Sequence, residues 1–211
     1  AVVDSFRRAQ KATGWMPPTC VVDNYHDNKL YIAAIADSIR ARGFDAQRGD
    51  RLMLSFHAIP LKDEKRGDTY RSQVHETADL IASKLGIPGD SVTISYQSVF
   101  GHNENAWASP LSVRVLEGWR DANFRVFFCC PGFAVDCLET LYDVPNEICP
   151  ALEGADARPL YSTAETRGDV QAACDIDGRF NWVPCLNASD RHVAILRSVL
   201  DRAMAEGVFE D

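Results

Sequence analysis

Apolar runs of strand length alternate along the chain with segments of helical spacing. Residues 3–12 carry helical spacing, and Thr19 to Val22 is a short apolar run that predicts a strand. Asp27 or Asn28 can cap the next helix, where Leu30, Ile32, Ala33, Ile35, Ala36 and Ile39 form the apolar face until Gly43 stops it. Arg51 to Phe56 (RLMLSF) reads as a strand. Thr69 to Lys84 reads as a helix with Val74, Thr77, Leu80, Ile81 and Leu85 on one stripe, ended by Gly86-Ile87-Pro88. The pattern continues with a strand at Val92 to Tyr96, a helix at Leu111 to Arg120, and a strand at Phe124 to Cys129 that is apolar except for Arg125. A helix over Val135 to Glu147, a strand over Asn181 to Cys185 and a helix over Ala194 to Ala205 complete it. Strands and helices alternating in this rhythm predict an α/β fold: βαβ units forming a parallel sheet with helices on both faces. Residues 150–179 are polar and weakly periodic, and read as an insertion or long loop in a domain spanning residues 1–211.

The chain has 211 residues, enough to bury a core of its own. Lys and Arg number 22 against 30 Asp and Glu, a net charge of −8. Such a surface lacks the basic face that nucleic acid requires and counts against anionic membranes. The richest apolar stretch, Phe124 to Val135, is interrupted by Arg125, Pro131 and Gly132, and no run is long enough to span a bilayer. The start, Ala-Val-Val-Asp, is not a signal peptide; without an initiator Met it reads as a processed product or an excised domain. The seven Cys have no regular spacing and no Cys-x-x-Cys, so reduced thiols in a cytoplasmic protein are expected, without a zinc site. Neither a Gly-rich phosphate loop nor a Gly-x-Ser-x-Gly elbow occurs.

Ligands of parallel α/β sheets bind beyond the carboxyl ends of the strands. That rule singles out Ser55-Phe56-His57, Gln97-Ser98 and Cys130-Pro131-Gly132-Phe133. His57 can accept a proton or ligate a metal as neutral imidazole, or be a hydrogen-bonded core histidine; its position alone leaves both open. After the third of these segments come Asp136, Glu139, Asp143 and Glu147. The last three are four residues apart, which places them in one row on a helix with no Lys or Arg between them. Like charges at that spacing repel, and the row invites a divalent cation; a solvated acidic face is the ordinary alternative. Pro145 breaks a regular helix there and predicts a π-type turn, while Leu138, Leu141, Tyr142 and Val144 predict a buried flank. Trp107, in a loop after a strand, can stack on a flat ligand or pack the loop. His26 and His102 fall in loops, whereas His75 and His192 read as surface residues.

Together these segments resemble ferrochelatase. Leu54-Ser55-Phe56-His57-Ala58-Ile59-Pro60 is similar to the family's Ser-x-His-x-x-Pro. Gly67-Asp68-Thr69-Tyr70 is similar to its Gly-Asp-Pro-Tyr, with Thr for Pro, and Gln97-Ser98-Val99-Phe100-Gly101 to its Gln-Ser-x-x-Gly. Trp107 falls at the pocket Trp, Cys130 to Leu141 is nearly the bacterial consensus, and Pro184-Cys185-Leu186-Asn187 matches Pro-x-Leu-Asn. The resemblance runs from about residue 15 to about residue 205. It implies a Rossmann-like, chelatase-like fold and an enzyme of heme biosynthesis that inserts ferrous iron into protoporphyrin or coproporphyrin, with iron as substrate and no organic cofactor. It implies further that the chain is the C-terminal of two similar domains flanking a porphyrin cleft. It then lacks the N-terminal wall, is inactive alone, and is prone to self-association. By the match, His57 and Glu139 are catalytic and face the inserted metal, Asp143 and Glu147 lead outward as further metal contacts, and Trp107, Gln97 and Ser98 bind substrate. Cys149, Cys174 and Cys185 bracket the insertion, but with no fourth ligand a [2Fe–2S] cluster is not expected. The rival readings are a non-catalytic tetrapyrrole- or metal-binding module, and a chelatase for another ring, such as sirohydrochlorin with cobalt. Retention of His57 and Glu139 argues against the first, and the Ser-x-His-x-x-Pro and Gly-Asp-x-Tyr pair against the second.

Overall fold

The computed structural model describes residues 2–17, 19–154 and 178–205. Four parallel strands lie in the order β2-β1-β3-β4: β1 (Arg51–His57), β2 (Val92–Gln97), β3 (Val126–Cys129) and β4 (Phe180–Val183). Strand alternation separates two cores. Leu52, Leu54, Phe56, Phe127 and Cys129 face α2 (Lys29–Ala41) and α4 (Tyr70–Leu85), with Ile195 of the closing helix beside them. Met53, Val126, Phe128, Phe180 and Trp182 face the opposite side, against α5 (Ser112–Gly118) and α7 (Cys149–Glu153). Helices therefore cover both faces, as the apolar pattern predicts. The remaining helices are α1 (Val2–Thr13), the single turn α3 (Leu61–Glu64), α6 (Leu138–Leu141) and the closing helix α8 (Asp190–Ala205).

Local chemistry explains the boundaries. Asn28 caps α2, its side-chain oxygen accepting from the Leu30 and Tyr31 amides at 3.0 and 3.1 Å. Gly86 ends α4 with φ +72°, a left-handed cap that favours glycine. Some expectations are corrected. Thr19 to Val22 does not enter the four-stranded sheet: Thr19 makes a lone β-bridge, and Val21 and Val22 are exposed. The helix predicted over Val135 to Glu147 starts at Leu138 and is divided, α6 being followed by a π-turn at Val144–Ile148 and then α7. Pro145 has no N–H to return to the Leu141 carbonyl, and the chain widens until the Cys149 amide reaches the Val144 carbonyl. Most of the 150–179 insertion lies outside the described residues, Cys174 with it.

The chain passes from β1 to β2 on one side and then crosses to β3 on the other. The switch point lies between the carboxyl ends of β1 and β3, where His57 and Cys130 emerge. The opposite end of this pair is tied by Asp50, which is 3% exposed. It accepts from the Arg125 Nε and Nη2 at 2.9 and 2.6 Å and from the Asp45 amide at 2.8 Å. Removing the carboxylate leaves the guanidinium with the Gly43 carbonyl and takes the side-chain acceptor from the Asp45 amide. Asp50→Ala is expected to cost about 3 kcal/mol of stability in urea unfolding; a loss below about 1 kcal/mol would show that the pair does not hold β1 to β3.

Candidate active site

His57 closes β1, paired in register with Gln97 of β2. Its Nδ1 lies 2.7 Å from the Ala58 carbonyl, which can only accept, so Nδ1 carries the proton and Nε2 keeps a free lone pair when the ring is neutral. The ring lies between Phe100 and Phe133, each 6.3 Å away by centroid. Phe100 in turn lies 6.3 Å from Trp107, whose loop is pinned to the chain after His57 by the Ala108 amide donating to the Ile59 carbonyl at 2.9 Å. Behind the histidine, the Tyr70 hydroxyl meets the His57 backbone, and burial pushes that phenol up to about 12. Gly132 makes the close approach possible. A methyl there would sit 3.2 Å from the Phe56 ring and 3.5 Å from the Tyr70 oxygen.

The acidic row stands across an open groove of about 400 Å³, lined by Gln97, Ser98, Phe100, Glu139, Asp143 and Glu147 among others. Buried Val144, Pro145 and Ile148 turn inward to the core and leave the carboxylates on the outer side. Of the flank expected to be buried, Val144 is buried and the other three residues are open. Leu138 is 69% exposed, Tyr142 55% and Leu141 38%, because Thr140 and Val144 occupy the inward positions. With Phe100 (71%) and Val135 (52%), these residues give the site an exposed apolar rim.

Two consecutive residues of the β2 exit hold the row. Gln97, 5% exposed, donates from Nε2 to the Glu139 carbonyl at 2.7 Å and accepts from the Ser55 hydroxyl at 2.7 Å. Ser55 is linked at 2.7 Å to Ser112, which is linked at 2.8 Å to Ser95, so the amide is backed by a buried polar chain. Ser98 donates to Asp143 Oδ2 at 2.8 Å. The start of α6 is fixed from another side. Asn187 donates to Asp136 Oδ2 at 2.6 Å and accepts from the Asp136 amide at 2.8 Å. His192, expected at the surface, is 4% exposed and bonds the Asn187 carbonyl at 2.6 Å through Nδ1. Of these supporting residues, the sequence marks Asn187 by its motif, and Ser55 and Ser95 by hydroxyls in otherwise apolar strands. Phe133 is marked by its place just after a strand end, whereas Ser112 gives no local signal.

The carboxylates are electrostatically graded. A hydrogen bond from the Cys137 thiol and Glu139's own backbone amide hold the Glu139 carboxyl below its ordinary value, and a protonated His57 adds to this. Burial raises Asp143, as does the Glu139 charge, against the Ser98 hydrogen bond and His57. Burial and the Asp143 charge raise Glu147. Among the described residues, no three His, Cys, Asp or Glu side chains converge closely enough to cage a metal ion. His57 does not line the groove itself, but lies near enough for its charge, when protonated, to lower Glu139 and Asp143. Cys149 is buried in the core beneath α7, and Cys185 is buried beside Asp136.

The fold and groove define a doubly wound α/β protein that presents an imidazole and a line of carboxylates at its switch point. A family model for ferrochelatase matches residues 1–204, and the chain belongs to that family. It is 33% identical to a ferrochelatase of Nitrosococcus oceani over 189 residues, which are 89% of this chain and 45% of that relative. It is 32% identical to one of Vibrio cholerae over 201 residues (95% and 56%), and 35% identical to one of an Azoarcus species over 188 residues (89% and 46%). The chain spans about half the length of the curated relatives it matches. No described helix is long and apolar enough to cross a membrane.

The pKa directions set a stability prediction. A carboxyl raised by folding, as in Asp143 and Glu147, contributes stability that is present below its unfolded value, about pH 4, and lost as pH rises through the folded value. Glu139 runs the other way, its contribution being lost as pH falls through its lowered folded value. Asp143→Asn removes an ionisation that opposes folding. Its melting temperature is expected to exceed the wild type's at pH 7, with the gap closing by about pH 4. A lower melting temperature at pH 7 would mean that the Asp143 charge stabilises the fold.

Proposed function

We propose that the protein containing this chain inserts ferrous iron into a porphyrin, and that the chain supplies the metal-handling wall of the cleft. The observation that carries the reading is the free Nε2 of His57, beside Phe100 and Phe133 and close enough for its charge to reach Glu139 and Asp143, two of the three carboxylates that line an open groove. Metallation must remove two pyrrole protons and deliver an iron ion stripped of water. Glu139, kept ionised by the Cys137 thiol, is a poor base and a good first oxygen ligand. His57, with one lone pair free, takes one pyrrole proton, passes it to water, and then takes the second. Asp143 and Glu147 then lead outward as successive weak contacts. A hard cation held by one carboxylate at a time is released easily to the next, whereas a closed cage would retain it. Ferrous iron and porphyrin are both substrates, and the chemistry needs no organic cofactor and no [2Fe–2S] cluster.

The exposed rim of Phe100, Val135, Leu138 and Tyr142 fits a flat apolar macrocycle that packs over Trp107. It also requires a second wall. We take this chain to be the C-terminal half of a two-domain, cytoplasmic enzyme whose N-terminal domain closes the cleft. The chain alone binds porphyrin on one open face, without excluding water. Its apolar rim then favours self-association.

In the intact protein, His57→Ala and Glu139→Ala are each expected to lower metallation by at least about 100-fold while the protein still folds. Residues 1–211 alone should fold and show no turnover. The assay uses ferrous iron or zinc with protoporphyrin and coproporphyrin, and cobalt with sirohydrochlorin as a third pair. Near-normal turnover of either variant would remove that residue from the mechanism, turnover by the isolated chain would contradict the two-wall cleft, and activity on sirohydrochlorin alone would replace iron insertion.

A further inference from the structure

Ser98 has φ +61°, one of two non-glycine residues with positive φ among those described. An L-residue disfavours this left-handed backbone, whereas glycine would adopt it readily. Residues held in such conformations gather where the surrounding structure needs what their side chains do. Here the left-handed turn at the end of β2 swings the Ser98 hydroxyl toward the row, where it donates to Asp143 Oδ2 at 2.8 Å. The residue before it donates to the Glu139 carbonyl at 2.7 Å, so one dipeptide grips the acidic helix at two points four residues apart. The span between those points leads straight into the π-turn, where the backbone ladder is interrupted.

Building on the proposed function, we propose that Ser98 is a positioning residue for the metal's path. Its hydroxyl fixes the rotamer of Asp143, occupying one carboxylate oxygen and leaving the other turned to the groove. Asp143 follows directly on the irregular turn after α6, and its side chain would otherwise choose among several staggered positions. With Ser98 in place, the second contact of the row stands at a constant distance from Glu139, whose own backbone Gln97 holds. This assigns Ser98 to the metal rather than to the macrocycle, and explains why a hydroxyl is kept where glycine would be less strained.

The test is steady-state metallation by the intact protein with zinc or ferrous iron, comparing Ser98→Ala, Ser98→Gly, Asp143→Ala and the double variant Ser98→Ala/Asp143→Ala. The expected result is a metal KM raised about tenfold in Ser98→Ala and Ser98→Gly, the porphyrin KM staying within twofold; tenfold is the effect of about one lost hydrogen bond to a charged group. Ser98→Gly, freed of the left-handed strain, should melt no lower than Ser98→Ala and yet share its metal defect. In the Asp143→Ala background, Ser98→Ala should add less than twofold, because its only route to the metal has been removed. Three results would overturn the proposal: an unchanged metal KM, a raised porphyrin KM instead, or effects of the two substitutions that multiply. Absence of metallation by the unsubstituted protein would overturn the underlying reading of function, which is a separate failure.

Discussion

The site depends on hydrogen bonds between elements that are distant in sequence, and the innermost of them is the Gln97 amide donating to the Glu139 carbonyl. The donor is a buried side chain at the end of a central strand, and the acceptor is a main-chain group in a helix of one turn. A helix that short cannot hold itself in place, because its carbonyls greatly outnumber its internal bonds. Its position is borrowed from the sheet. Gln97 lends it with its oxygen already committed to Ser55, and behind Ser55 stand Ser112 and Ser95. A buried polar chain of this kind is costly if any member loses its partner and rigid when all are satisfied. The spacing between His57 and Glu139, which start on different elements, is therefore fixed by the sheet register that pairs His57 with Gln97.

The outer part of the row is built on the opposite principle. Past Glu139 the backbone is irregular: a proline denies the helix one bond, the turn widens to π geometry, and Pro150 denies it another. The widened turn allows Pro145, Val144 and Ile148 to enter the core while Asp143 and Glu147 remain at the groove. The electrostatic grading follows from placement. Glu139 gains a thiol donor and a backbone amide, whereas Asp143 and Glu147 are partly desolvated beside a like charge. In the proposed reaction that gradient matters. A cation is drawn to a row whose outer members ionise less readily and whose inner member is already a carboxylate, so the strongest oxygen contact is also the one beside the histidine.

Much of this was legible in the sequence because the determinants are local. RLMLSF is a short apolar run followed at once by a histidine, the helix pattern after Asn28 begins at a true capping residue, and Pro145 announces the broken helix. The errors arose where a local pattern met a tertiary constraint. Thr19 to Val22 has strand-like composition, but only Thr19 forms a bridge and the run does not join the four-stranded sheet. Leu138, Leu141 and Tyr142 are apolar and looked like a buried flank, yet the π-turn presents other residues to the core. His192 looked like a surface residue until the loop carrying Asn187 folded back over it. Gln97 and Ser98 were recognisable as site residues from their motif, but their direct partners were not. A hydrogen bond to a carbonyl 42 residues away leaves no trace in spacing.

The central claim is that metal reaches His57 along the carboxylates of the broken helix. Anomalous diffraction from crystals of the intact protein soaked in millimolar cobalt tests it most directly, because cobalt is a divalent ion accepted by both oxygen and imidazole ligands. The account predicts peaks beside Asp143 and Glu147, and a further peak between Glu139 and the His57 Nε2. Cobalt bound elsewhere on the protein, with no density along the row, would contradict it.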